Sequence, residues 1–218
     1  MKIKWYGHAA FKITTDGNVT IIIDPYQSGA FGGALSYGKI DESADIVLTS
    51  HDHDDHNYRK DIKGTYKHFN KAGTYHEKGL TIEALPCYHD PSQGKERGSN
   101  MIFVIEADGL RLAHMGDLGH TLTKDIIKKM GNIDIVMLPV GGFYTIDADE
   151  ATKVMRDMNP KITIPMHFKT EKCDFPIAGI DVFTSGKKGI KNINEYEIEV
   201  AKEGLPKESE IIVMHYAL

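Results

Sequence analysis

The run Asp45-Ile46-Val47-Leu48-Thr49 reads as a short buried strand, and it empties directly into Ser50-His51-Asp52-His53-Asp54-Asp55-His56. Three imidazoles and an aspartate share one turn-sized segment in the order His-x-His-x-Asp-His. Neutral imidazole and carboxylate suit Zn²⁺, Mn²⁺ or Fe, and packing so many of them together serves little purpose without a cation. The plainer alternative is a surface loop that happens to be rich in His and Asp. A ligand cluster at a strand end is, however, where an α/β protein places its chemistry.

Three further apolar strands end in residues of the same kind. Thr81 to Pro86 leads to His89, Leu110 to Ala113 leads to His114 and Asp117, and Ile162 to Pro165 leads to His167. If these strands share one polarity in packed sheets, their ends open on one rim and chain-distant residues meet there. The number of ligands then suggests two divalent cations. His51, His53 and His89 make one set, Asp55, His56 and His167 a second, and Asp117 bridges them. Two cations about 3.5–4 Å apart can share a hydroxide, which is a nucleophile at neutral pH.

The rest of the chain frames this site. Residues 1–8 alternate as a strand does. Ala10 to Thr14 and Val19 to Ile23 flank an Asp-Gly turn, and 74–76 with 80–85 and 101–106 with 110–114 repeat the hairpin pattern. Thr123 caps a helix that ends at Met130 before Gly131. Asp147 and Glu150 resemble a capping box for a helix that places Ala151, Val154, Met155 and Met158 on its core face and stops at Asn159-Pro160. Strands are expected over 133–138, 162–164, 180–183, 195–200 and 211–214. The Gly-rich stretch 29–38 is either a plain connector or a loop that overhangs the site. These elements suit one domain over residues 1–218, built as layers of sheet and helix around one core.

The net charge of −5 over 218 residues argues against a nucleic-acid partner. The two cysteines imply no disulfide framework, and an inert buried thiol is favoured over a soft ligand at Cys87. No stretch reads as a secretory signal or a membrane span, so a cytoplasmic protein acting on a small-molecule substrate is expected, with homo-oligomer formation left open.

His51-x-His53-x-Asp55-His56, followed by His89, Gly116-Asp117 and His167, resembles the metallo-β-lactamase superfamily of metal-dependent hydrolases. The resemblance runs from Trp5 to His167 and implies a four-layer αββα sandwich with a dinuclear site on its edge. Gly7-His8-Ala9-Ala10-Phe11 and Asp24-Pro25 resemble the branch of small metal-dependent hydrolases that includes ascorbate-6-phosphate lactonase-like proteins.

The activity expected is hydrolysis of an ester, lactone, amide or phosphoester by a metal-bound, bridging hydroxide. Asp55 or a metal-bound water would handle the proton, with His8 or His114 assisting. Zinc, manganese, iron and nickel all suit such ligands. Asp24 either accepts a ligand imidazole N–H or simply starts a turn before Pro25. Tyr144, after Gly141-Gly142-Phe143, either donates to a developing oxyanion or packs. Asp52 and Asp54 are expected to point outward as spacers, while His68, His76, His120 and His215 are expected to be ordinary residues. A phosphodiesterase or nuclease is the alternative enzyme reading, and a ligand-binding module without turnover is the non-enzymatic one.

Overall fold

The computed structural model describes residues 1–218. The chain opens with strands β1 (Lys2–Gly7), β2 (Ala10–Thr14), β3 (Thr20–Ile23), β4 (Ile46–Leu48), β5 (Lys67–Phe69) and β6 (Gly73–Glu77). It continues with β7 (Leu80–Tyr88), β8 (Ser99–Ala107), β9 (Leu110–His114), helix α1 (Lys124–Met130), β10 (Ile135–Pro139), α2 (Ala148–Met158) and β11 (Ile162–Met166). The last elements are α3 (Ile180–Thr184), β12 (Ile190–Asn192), β13 (Glu197–Glu199) and β14 (Glu210–Val213).

Two mixed sheets result, in the orders β13-β1-β2-β3-β4-β5 and β12-β14-β11-β10-β9-β8-β7-β6. In the first, β2 runs against both β1 and β3, whereas β4 runs with β3, so β1, β3 and β4 point the same way. In the second, β7 and β9 both run against β8, and β9, β10 and β11 are parallel. Three strands of the first sheet and four of the second therefore deliver their C-terminal residues to the site described below.

Strand alternation explains the layering. Ile21, Ile23, Ile46 and Leu48 face the core between the sheets, while Ile22 and Val47 face outward into a second apolar cluster. Both faces of these strands are covered, which is why they read as continuous apolar runs. Helix α1 carries the expected Thr123 cap, and α2 carries the full Asp147–Glu150 capping box and ends at left-handed Asn159. No helix is long and apolar enough to cross a membrane.

The structure differs from expectation in two places. The segment Ile180–Thr184 is a short helix rather than a strand. Gly179 opens it, Asp181 sits in its first turn, and only Phe183 is buried, so its apolar residues do not alternate. The outer face of the first sheet carries no full helix. Loops from the 25–45 and 168–178 regions, with a short 3₁₀ turn at Phe31–Gly33, supply Tyr26, Leu35, Tyr37 and Phe175 in place of that layer.

Lys4 and Lys12 lie directly opposite each other on β1 and β2, an unfavourable pairing of like charges. Glu42 compensates both, at 2.7 Å and 2.6 Å. Burial pushes its carboxyl up, but the two lysines outweigh burial and hold it at about 2, against an ordinary 4.5. A depressed carboxylate stabilises the fold above its unfolded value and loses that contribution as pH falls toward the folded one. Glu42→Gln is therefore expected to cost about 1 kcal/mol at neutral pH, after allowance for its partial exposure, and only a small part of that near pH 2. Urea denaturation of both proteins at pH 7 and in acid checks this.

Candidate metal centre

The seven strand ends meet around Asp117. Its carboxylate lies 3.1 Å from His56 Nε2, 3.1 Å from His89 Nε2, 3.4 Å from His167 Nε2 and 3.9 Å from His51 Nε2. His51, His53 and His89 present ring nitrogens within 4.8 Å of one another. His8, Asp55, His56 and His167 form a second such group, and His51, His56 and Asp117 form a third that joins the two. The structure thus brings together all seven residues named from the sequence as metal ligands, and it adds His8 to the second group.

Several of these atoms are buried without a hydrogen-bond partner, namely His51 Nε2, His56 Nε2, Asp55 Oδ1 and Asp117 Oδ1. Orphaned polar atoms are costly, and four of them converging on one spot call for a cation. The donor set, imidazole and carboxylate, fits divalent Zn, Mn, Fe or Ni.

The electrostatics agree with that fit. Burial pushes His51 down to about 3, with the charge of His56 adding to the effect, so His51 is a neutral ligand. Burial also opposes charge on His56, but Asp117 and Asp55 outweigh it and raise His56 well above its ordinary value. The converging carboxylates thus favour positive charge at this point, and a metal cation would supply it.

The shell behind the ligands is fixed by hydrogen bonds. Asp24 is fully buried and accepts from Ser50 N at 2.7 Å, Ser50 Oγ at 2.6 Å and His56 Nδ1 at 2.9 Å. Holding Nδ1 leaves Nε2 to face the site. Burial pushes the Asp24 carboxyl up, yet the His56 bond and the neighbouring imidazoles more than reverse this and lower it. His8 Nε2 lies 3.1 Å from Asp55 Oδ2. His8, Asp24 and His167 each follow a strand directly and adopt positive φ, at 53°, 47° and 52°. Such backbone costs about 1–3 kcal/mol per residue and persists where surrounding contacts enforce it.

His114 is not brought to the cleft. Its Nε2 bonds Ala9 O at 2.8 Å and its Nδ1 accepts from Gly116 N at 3.1 Å, so both nitrogens are committed to backbone. Asp52 and Asp54 are exposed, as expected of spacers, but they also line the mouth of the cleft. Gly141 serves packing: a Cβ there would lie 2.3 Å from the carbonyl oxygen of His167. Phe31, from the 29–38 loop, lines the cleft, as does Tyr144. Cys87 is a buried thiol pushed up to about 12 by burial, and it accepts from Asn100.

Two positioning residues escaped the sequence reading. Asn100 interrupts an apolar strand, and its Oδ1 accepts from Asp117 N at 3.0 Å while its Nδ2 donates to Met115 O. Asp90 accepts backbone N–H groups from Ser92, Gly94, Glu96 and Arg97, which orders the loop after His89. A buried amide in a strand and an Asp-Pro-Ser turn opening were the available signals.

A Cβ at Gly119 would sit 2.2 Å from the carbonyl carbon of His89 and 2.3 Å from Asp90 N. Both neighbours are backbone and cannot swing aside. Gly119→Ala is expected to destabilise the protein by about 2–3 kcal/mol and to weaken metal uptake by displacing His89. Gly204→Ala, with nothing within 4 Å, is the neutral control. Chemical denaturation and a metal-chelator competition titration check both variants.

Two facing mixed sheets whose strand ends converge on His-x-His-x-Asp-His, His89, Asp117 and His167 define the metallo-β-lactamase fold. A family model described as a β-lactamase superfamily domain matches residues 2–167, and the chain belongs to that superfamily. Within it, the chain belongs to the UPF0173 family, whose members carry the name metal-dependent hydrolase. The member from Thermus thermophilus is 31% identical over 193 residues, spanning 78% of this chain and 84% of its own. The member from Archaeoglobus fulgidus is 28% identical over 214 residues, spanning 83% and 87%. The crystal structure of a metallo-β-lactamase superfamily protein from Thermotoga maritima superposes with a TM-score of 0.82 at 32% identity over 99% of both chains.

Proposed function

We propose that this protein is a metal-dependent hydrolase with a dinuclear centre, acting on an ester, lactone or amide of a small molecule. The observation that carries the reading is the set of buried, unpartnered ligand atoms at the floor of a cleft of about 470 Å³. That volume suits a small substrate. The names of the relatives support the activity, and the Gly7-His8-Ala9-Ala10-Phe11 opening, which resembles the lactonase-like branch, supports testing lactones first. The two free, buried thiols suit a cytoplasmic setting.

His51, His53 and His89 would hold one cation and Asp55, His56 and His167 the other, with Asp117 between them. Bound there, divalent cations supply Lewis acidity and lower the pKa of water to about 7. The chain's own groups do the remainder. Asp24 fixes the His56 ring, and His8 fixes Asp55 through Oδ2. Asp55 Oδ1, buried and unpartnered, faces the cation site, and proton transfer falls to Asp55 only where it is not engaged as a ligand. His114 clamps the Ala9 and Gly116 backbones that carry the rim.

Asp52, Asp54 and Glu96 at the cleft mouth, against Arg97 alone, disfavour a polyanionic nucleic-acid substrate. Protein purified without an affinity tag should contain divalent metal. Stripping it with EDTA should abolish hydrolysis across an ester, lactone and amide panel, and reconstitution with one of Zn, Mn, Fe or Ni should restore it. Turnover of bis(p-nitrophenyl) phosphate with none of lactones would favour the phosphodiesterase reading. Tight metal binding with no turnover of any of these would favour a non-catalytic module.

A further inference from the structure

The cleft has one aromatic side that the metal chemistry does not use. Phe31 and Phe175 meet edge to face at 5.3 Å, Phe175 and Tyr144 at 5.8 Å, and Tyr144 and Phe143 at 4.8 Å, a continuous chain of four rings. Phe31, Phe175 and Tyr144 line the same cleft as His53, Asp117 and His167. Phe31, which lines the cleft, is 54% exposed and holds positive φ at 54°, and Phe143, beside Tyr144 but outside the lining, is 63% exposed with φ at 63°. A bulky aromatic residue gains little from such a position on a folding account: it keeps its ring in water and adopts disfavoured backbone as well. Exposed apolar surface in a concave site and strained backbone at its edge each point to a ligand. Beside Tyr144, the last of these rings to line the cleft, the Arg97 guanidinium lies 5.9 Å from the ring centre, with Glu96 3.6 Å away. Asp90 anchors the loop that presents Arg97.

We infer that Phe31, Phe175 and Tyr144 seat a flat apolar group of the substrate, an aryl ring being the best fit, and that Arg97 meets a single negative substituent beside it. Rings prefer edge-to-face or offset contacts at about 4.5–7 Å, and here the exposed Phe31 and half-buried Tyr144 offer them, backed by the buried Phe175. A monoanion matches one guanidinium. A polyanion would meet Asp52, Asp54 and Glu96 as well. The inference names the substrate class for the hydrolytic site proposed above and rests on that reading for the bond cleaved, though not for binding.

The test is calorimetric binding of 2-naphthylacetate, acetate and neutral 2-naphthylethanol to the zinc-reconstituted protein. Acetate shares the carboxylate, so the ratio isolates the ring. Naphthylacetate is expected to bind at least about tenfold more tightly than acetate. Phe31→Gly removes the ring and relieves the positive φ, and it should reduce that ratio to about threefold or less, whereas Phe31→Trp should keep it. Arg97→Met should weaken naphthylacetate relative to naphthylethanol. Val182→Ser, an exposed apolar position outside the cleft, should leave the ratio intact. Equal binding of acetate and naphthylacetate, or a ratio unchanged in both Phe31→Gly and Tyr144→Ala, would overturn the inference. A preserved ratio with no hydrolysis of any ester or lactone would sink the hydrolase reading and leave this one standing. Hydrolysis without any ring preference would do the reverse.

Discussion

Asp117→Ala lowers hydrolysis by about three orders of magnitude or more, on whichever ester or lactone the wild type turns over, and it does so with the fold retained. The reasoning is geometric. One carboxylate stands between 3.1 Å and 3.9 Å from four imidazoles that arrive on three loops of two sheets. Asp117 is the member of the joining group that belongs to neither of the other two, so its loss would remove the carboxylate placed to serve both proposed cations. Several kcal/mol of transition-state stabilisation depend on that charge, and each 1.36 kcal/mol is worth about tenfold in rate. The backbone survives because Asn100 holds Asp117 through its N–H, which alanine retains, and because the 44-residue core lies elsewhere. Metal content should fall with activity. Circular dichroism, metal analysis and steady-state kinetics on the one variant decide the matter, and unchanged turnover would remove Asp117 from the machinery.

Asp24→Ala carries the second large effect, and it is expected in both stability and metal affinity. The substitution orphans three donors at once, Ser50 N, Ser50 Oγ and His56 Nδ1, in a fully buried place. Breaking one side of such a network costs about 3–5 kcal/mol. Freeing the His56 ring should weaken metal binding by about 10–100-fold. The sign of the pH dependence follows from the lowered carboxyl: its contribution is present at neutral pH and is lost as pH falls below the ordinary carboxylate value. Asp24→Asn separates the two effects, since it keeps the volume and an acceptor oxygen but removes the charge. Chelator competition and urea denaturation measure them, and metal affinity within twofold of wild type in Asp24→Ala would contradict the orienting role.

The cluster of candidate ligands was legible because metal chemistry restricts residue type and because strands end abruptly. His51, His53, Asp55 and His56 announce themselves by density, and His89, Asp117 and His167 by ending apolar runs. The two main helices were legible from local capping chemistry at Thr123 and Asp147, which acts within one turn. Residues 180–183 were misread because four residues that include two β-branched ones carry no clear period, and they form part of the helix Ile180–Thr184. Strands β5 and β12 left almost no signal, since Lys67, Lys191 and Asn192 become strand residues only through neighbours already in place. The place of His114 was not legible because a histidine at a strand end looks the same whether it faces a cleft or clamps backbone. The aromatic wall was invisible for another reason. Phe31, Tyr144 and Phe175 come from three unrelated loops, and tertiary structure alone brings them together.

Anomalous diffraction at the edge of the metal found in the native protein bears most directly on the central claim. The account predicts two peaks per chain, one within bonding distance of His51, His53 and His89, the other of Asp55, His56 and His167, with Asp117 reaching both. A protein that binds metal stoichiometrically at some other place, or that leaves these side chains without any peak after reconstitution, would contradict it.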